Sequence, residues 1–167
     1  MTAPQIQFVF GHEMGHYVLN HIPKAIALCA GLLFLALLAS YHGMNWALER
    51  WRSRWDIRGV EDWASLPLLI LICAAVGFAA EPIANSVSRY VERQADIYAI
   101  EVTFGLIPPA AQIGTEVFQI LGETNLAEPD PNPVIKFWFY DHPSISERVR
   151  FAQQYDPWSS NETKYVR

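Results

Sequence analysis

Two long uncharged stretches constrain the fold of this chain more than any other feature. Residues 25–48 contain no Asp, Glu, Lys or Arg over 24 positions, and residues 63–80 contain none over 18. A helix of about 20 apolar residues spans the hydrocarbon layer of a bilayer. A chain of 167 residues barely supplies a domain large enough to bury such helices in a core. We therefore expect a hairpin of two transmembrane helices, with the lipid bilayer as a partner.

The segment between the two stretches mixes charges with tryptophan. Over residues 41–62, arginines and carboxylates alternate with indole side chains, which favour the headgroup level of a membrane. This pattern predicts an interfacial loop, and an ordinary amphipathic connector is the alternative.

Composition excludes several other classes of protein. The formal net charge of -5 argues against nucleic acid as a partner, because phosphate binding needs a surplus of Lys and Arg. Two cysteines are too few for a disulfide framework or a Cys-rich zinc site. An aromatic content of 13% excludes intrinsic disorder.

The segment His12-Glu-Met-Gly-His16 carries the clearest chemical signal. Its spacing places two imidazoles on one helical face, one turn apart, where both can bind a metal ion. Glu13 then lies beside the metal and can take a proton from a bound water. The alternative is a chance pairing of two core histidines with a surface glutamate.

A catalytic zinc also needs a third protein ligand and an open fourth position. Glu92 is the best candidate, and Asp96 lies one turn further along the same predicted helix, where it can accept the second N–H of a ligand histidine. His21 is expected to point away from the ligand face. His42 lies deep in or just past the first apolar stretch and is therefore expected on the wrong side of the membrane. A solvated charged helix face is the alternative interpretation of Glu92 and Asp96.

The hairpin is compatible with this ligand set. His16 and Glu92 lie on either side of it, and two spans return the chain to the side of the membrane from which it left.

The remaining chain is predicted to be mostly helical. We expect a packed helix over residues 110–121, a short strand or extended segment over 134–140, and a capping box from Ser144 to Glu147 that begins a last helix. The tail after Asp156 is expected to be frayed.

Three motifs in order resemble one family. They are His12-Glu-Met-Gly-His16, the segment from Ser88-Arg89 to Ala95-Asp96, and Asp141-His-Pro-Ser144 with Glu147-Arg148. Together with the hydrophobic hairpin, they resemble the HtpX-like and CAAX prenyl protease family of integral-membrane zinc metallopeptidases, of the gluzincin type. Members usually carry a longer region before the zinc helix, so an N-terminally truncated member is expected.

The resemblance implies roles for individual residues. It implies one Zn²⁺ per chain, Glu13 as general base and Asp96 as an outer partner, with three zinc ligands: His12, His16 and Glu92. It also implies that His142 and Arg148 lie near the developing oxyanion of the substrate. By their residue types alone, His142 is a capping or surface histidine and Arg148 a surface arginine.

The expected fold is mainly α, with a zincin-like zinc helix pair and a two-helix transmembrane hairpin inserted between the ligand helices. Residues 1–167 then form a single peptidase domain, a fragment of the family's full region. Within it, the zinc helix covers residues 5–21, the hairpin 24–81 and the ligand helix 82–103.

The expected function is that of a membrane zinc metalloendopeptidase, which hydrolyses peptide bonds with a zinc-bound water. Its substrate would be a peptide or a membrane protein. One alternative is a catalytically inactive membrane zinc-binding or scaffold protein, and another is a small helical membrane protein without metal.

The resemblance implies a plasma or inner membrane location, with the zinc site facing the cytoplasm. The positive-inside rule instead places the hairpin loop in the cytoplasm, because of its arginines at positions 50, 52, 54 and 58. We follow the resemblance.

Overall fold

The structure is a computed structural model that describes residues 1–107, 109–160 and 162–166. The described residues form helices, with no β-strand among them, so the prediction of a mainly α fold is confirmed. In chain order the helices are α1 (Ala3–Val18), α2 (His21–Trp55), α3 (Leu66–Thr103), α4 (Ala110–Thr124), α5 (Pro133–Phe139), α6 (Ile145–Gln154) and α7 (Pro157–Ser160).

Helices α2 and α3 contain the two apolar stretches. Each has a window with a mean hydropathy of 2.2 and is long and apolar enough to cross a membrane. The apolar parts of both helices belong to one compact unit, Ala25–Ala84, whose small core consists of Met44, Leu48 and Ile57.

The prediction of an interfacial loop over residues 41–62 is wrong for residues 41–55, because α2 continues as a helix to Trp55. The ring of Trp51 lies 5.0 Å from that of Trp46 and 5.4 Å from that of Trp55, measured between centroids. The indole ring of Trp51 thus contacts both others along the C-terminal part of α2. The Trp pattern in the sequence did not indicate that this part is helical.

The second compact unit combines Met1–Lys24 with Asn85–Arg167. Its core draws on four helices and on the α3–α4 connection: Phe8, Ile97, Ala99, Ile100, Ile107, Ala110, Val117, Phe118, Phe151 and Ala152. The predicted single peptidase domain with an inserted hairpin stays a prediction.

Two glycines let α1 lie against the last third of α3. A Cβ added to Gly11 would lie 3.1 Å from Cγ1 of Val102, and one added to Gly15 would lie 3.2 Å from Cα of Ala95. Both glycines precede a histidine of the His-Glu-x-x-His motif directly (Gly11 and Gly15 before His12 and His16). The close approach of the backbones therefore sets the distance between the motif and α3.

Of the segment predicted as a strand or extended, residues 134–140, only Tyr140 is extended, and positions 134–139 are instead helical in α5. Asn132 caps its first turn by accepting a hydrogen bond from the backbone N–H of Val134, and Pro133 occupies the first helical position. At its C-terminal end, Arg89 of α3 donates to the carbonyl oxygens of Lys136 and of Tyr140, the residue that follows the helix. Local caps and a long-range cation thus override the β preference of the aromatic residues.

The capping box at the start of α6 is confirmed. The backbone N–H of Ser144 donates to Glu147, and Glu147 also accepts from Lys136 of α5 at 2.6 Å. This pair ties α5 to α6 on either side of the connection that carries His142.

The expectation of a frayed tail is wrong over the described residues. After α7, the carboxylate of Glu101 accepts backbone N–H bonds from Lys164, Tyr165 and Val166 at 2.6 to 2.9 Å. Glu101 is 1% exposed and also accepts from the hydroxyl of Tyr155. A buried carboxylate with four donors holds the tail against α3.

Candidate metal centre

Three side chains from α1 and α3 converge on one point. Nε2 of His12 lies 3.1 Å from Nε2 of His16 and 3.3 Å from Oε2 of Glu92. The second oxygen of Glu92 lies 3.4 Å from Nε2 of His16. Each residue therefore presents one potential ligand atom to a common centre.

The donor set fits a tetrahedral metal. Ligands at 2.0–2.1 Å from zinc at tetrahedral angles lie about 3.3 Å from each other. The 3.1 Å distance between the two Nε2 atoms, and the distances of 3.3 and 3.4 Å from these atoms to the two oxygens of Glu92, are close to that spacing. Two imidazoles and one carboxylate leave one of four positions open, which is the pattern of catalytic rather than structural zinc sites.

Asp96 and Arg148 support the first of these ligands. Oδ1 of Asp96 lies 2.9 Å from Nδ1 of His12, so the His12 N–H at that position can donate to it and leave Nε2 free. Arg148 donates to both oxygens of Asp96, at 3.0 and 2.6 Å, and its guanidinium lies over the Phe118 ring. Asp96 is fully buried, so the guanidinium supplies the compensating charge that a buried carboxylate needs.

The two histidines of the candidate centre differ in basicity. Burial lowers the pKa of His12, but hydrogen bonds to Asp96 and Glu92 outweigh it and raise the pKa to about 9. The pKa of His16 is lowered, by burial and then by the positive charge of His12. A proton at this centre therefore resides on His12, and a metal ion must displace it on binding.

Two more predicted residues line the same cleft. Glu13 and His142 border a cavity of about 520 Å³ that also includes His12 and Glu92. Nε2 of His142 lies 3.5 Å from Oε2 of Glu92, while its Nδ1 lies 2.8 Å from the carboxylate of Asp141. His142 thus reaches the centre from the α5–α6 connection, with Asp141 orienting its ring.

The structure places Arg148 differently from the other predicted residues. It is 7% exposed and its guanidinium is engaged by Asp96, although Arg148 also borders the cavity. The expected role of Arg148 at an oxyanion stays a prediction, as do the expected roles of the other site residues.

Sequence comparison identifies the family to which this geometry belongs. Peptidase family M48 matches residues 1–156. The chain belongs to Peptidase family M48. The match includes all the helices that carry the candidate centre, and membership of a metallopeptidase family implies a metal at the site.

A curated relative of this M48 chain is described as an uncharacterized metalloprotease, YhfN, of Bacillus subtilis (strain 168). The two sequences are 37% identical over 154 residues, which is 90% of this chain and 34% of the relative. The chain thus spans about a third of the length of the curated relative that it matches.

Sequence reasoning missed two groups around the centre of this M48 chain. Asp141 was seen only as part of a motif, although it directly precedes a candidate catalytic histidine. His21 was set aside because its spacing excludes it from the ligand face, yet its Nδ1 lies 3.2 Å from Nδ1 of His16. Both are hydrogen-bond partners of a predicted site histidine, Asp141 of His142 and His21 of His16, rather than further ligands.

Proposed function

We propose that this chain carries the catalytic centre of a membrane zinc metalloendopeptidase. The observation that carries the proposal is the convergence of His12, His16 and Glu92 at tetrahedral spacing in a cleft that Glu13 also borders. Zinc bound there would lower the pKa of a coordinated water towards about 7 and polarise the carbonyl of the scissile peptide bond.

Three side chains of the chain have separate roles in the proposed reaction. Glu13 takes a proton on its carboxylate from the attacking water and delivers it to the leaving amine. Asp96 holds the Nδ1–H of His12, so that Nε2 of His12 stays available as a ligand atom. Arg148 holds the buried carboxylate of Asp96 in a fixed orientation through two hydrogen bonds.

His142 is the proposed donor to the developing oxyanion. Its ring borders the cleft, and its Nδ1–H donates to Asp141, which keeps the Nε2 edge directed at Glu92. Donation from Nε2 as well requires the imidazolium, which carries a proton on both ring nitrogens, and the proposed donor is that form. A donor fixed in this way stabilises negative charge without reorganising during the reaction. Arg148 also borders this cavity and contributes positive charge there, with its guanidinium paired to Asp96.

The proposed substrate is a peptide or a membrane protein. Apolar side chains contribute to the lining of the cavity, among them Phe8, Val117, Phe118 and Leu121. Such a lining suits an apolar substrate side chain placed next to the cleaved bond.

The proposed location is the plasma or inner membrane, with α2 and α3 as spans and the zinc centre facing the cytoplasm. The two apolar helices support the membrane location. A reporter fused after Arg167 tests the orientation. We expect a reporter enzyme that works only in the cytoplasm to be active in this fusion. Activity of a reporter that works only outside the cytoplasm would reverse the assigned orientation.

The substitution Glu13→Gln tests the catalytic proposal. Because Glu13 moves a proton and is not among the three converging donors, we expect the purified variant to keep about one zinc per chain and to lose hydrolysis by at least about 100-fold. The measurement combines elemental analysis with cleavage of casein, and a chelator should abolish wild-type cleavage. Equal turnover by variant and wild type would contradict the mechanism, and zinc without turnover in the wild type would favour the scaffold alternative.

A further inference from the structure

His21 is a buried histidine that the proposed mechanism does not use. It is the first residue of α2 and only 2% exposed. The preceding residue, Asn20, has a φ of 55°, a left-handed conformation that asparagine tolerates better than most residues. This turn between α1 and α2 brings the His21 ring back against His16, with ring centroids 5.1 Å apart.

The contacts of His21 form a chain that ends at a metal ligand. Nδ1 of His21 lies 3.2 Å from Nδ1 of His16, on the opposite edge of that ring from the ligand atom. Nε2 of His21 lies 3.1 Å from Oε1 of Gln94 on α3. The amide of Gln94 is oriented in turn, because its Nε2 donates to the hydroxyl of Tyr90 at 3.2 Å.

With the Gln94 amide oriented in this way, one arrangement of protons satisfies all of these contacts. A metal at Nε2 of His16 requires a lone pair there, so the proton of neutral His16 sits on Nδ1. Nδ1 of His21 must then accept, which puts the proton of His21 on Nε2, and this N–H needs an acceptor. Oε1 of Gln94 is that acceptor. The chain of hydrogen bonds and the metal position therefore demand the same tautomer of His16.

We propose that His21, held by Gln94, is a positioning residue that fixes the tautomer and ring orientation of His16 for metal binding. The inference rests on the proposed function, since it requires a metal at the candidate centre. The two ligand histidines are then supported differently: a buried carboxylate holds His12, and a neutral imidazole holds His16. Loss of such an outer partner weakens metal affinity by about 10–100-fold.

Variants of the full chain, purified in detergent, separate this role from packing. His21→Leu removes the acceptor for His16, whereas His21→Asn keeps one, because Oδ1 of asparagine occupies nearly the place of Nδ1. Gln94→Met removes the acceptor for His21 and leaves the histidine itself in place. His42→Leu is the matched control, since His42 is an exposed histidine of α2 outside these contacts.

The first readout is the rate of zinc transfer from each loaded protein to a chromophoric chelator, beside the thermal midpoint of the metal-free protein. We expect release about 10–100-fold faster from His21→Leu, faster release from Gln94→Met, and rates within about threefold of wild type for His21→Asn and His42→Leu. A packing role would instead lower the thermal midpoint and leave zinc release from the folded protein unchanged. Wild-type release rates in both His21→Leu and Gln94→Met would overturn the inference.

The second readout is ¹⁵N-histidine NMR of the zinc-loaded protein. We expect the proton of His16 on Nδ1, protected from exchange with water in wild type and in His21→Asn but exchanging rapidly in His21→Leu. A proton on Nε2 of His16 would overturn the inference. Failure of wild type to bind zinc would overturn the inference together with the proposed function. If wild type binds zinc and the variants His21→Leu and Gln94→Met release it at the wild-type rate, the inference is wrong but the proposed function stands.

Discussion

At the scale of single residues, the candidate centre depends on buried charge that is fully paired. Asp96 is shared between His12 and Arg148, and neither oxygen of its carboxylate lacks a donor. The His-Glu-x-x-His spacing allowed the ligands to be predicted, because helical periodicity fixes which side chains share a face. It could not reveal that Arg148 lies behind Asp96, since that contact joins residues 52 positions apart on different helices.

Asp96→Ala should damage both stability and metal binding. The substitution leaves the buried guanidinium of Arg148 unpaired, which costs about 3–5 kcal/mol, and removes the acceptor for His12, which weakens zinc affinity about 10–100-fold. Denaturant unfolding and zinc competition measure the two effects. Arg148→Lys, which keeps a positive charge near Asp96, serves as the milder comparison. Wild-type zinc affinity in Asp96→Ala would show that the carboxylate does not support the ligand.

At the scale of helices, the close packing of α1 on α3 positions the ligands. Gly11 and Gly15 let the two backbones approach, so that side chains one residue further along α1 meet Glu92. The helical type of both elements was predictable from their patterns. Helix α5 was not predicted: its Asn132-Pro133 start is a local signal that the β preference of the aromatic residues outweighed, and the contact of Arg89 at its other end leaves no trace in local propensity.

Gly15→Ala should therefore weaken zinc binding without touching a ligand. The new methyl group would lie 3.2 Å from the Cα of Ala95 and 3.1 Å from Cβ of Tyr98, and backbone atoms cannot rotate out of its way. Overpacking of this kind costs about 1–3 kcal/mol, and moving α1 outward separates the converging donors. Gly31→Ala is the matched control, since a Cβ there has no neighbour within 4 Å. Equal zinc affinities of the two variants would contradict this account.

At the scale of the whole molecule, the two compact units follow the division between apolar hairpin and polar remainder. That division was visible in the sequence as a change of composition near residues 25 and 81. The attachment of the C-terminal tail was not, because Glu101 looks like any charged residue of a helix until its four donors are known.

Glu101→Ala should release the tail and lower stability. Four hydrogen bonds to a buried carboxylate are lost, and three backbone N–H groups must find water instead, so we expect a loss of about 2–4 kcal/mol. Hydrogen exchange of the amides of residues 164–166 should become fast. Glu123→Gln, at an exposed position of α4, should leave both unfolding and exchange unchanged. Persistent protection of these amides in Glu101→Ala would contradict the assignment.

The position of the two apolar stretches between His16 and Glu92 in the sequence also dictates an order of events during synthesis. The ribosome produces His12 and His16 first, and Glu92 follows only after both apolar stretches have been made. A nascent chain therefore offers two imidazoles without the carboxylate, and the full donor set requires closure of a very long loop. Under the proposed function, metal loading would therefore wait until both apolar stretches have been made, and a partly made chain would lack a complete centre with which to cleave other proteins.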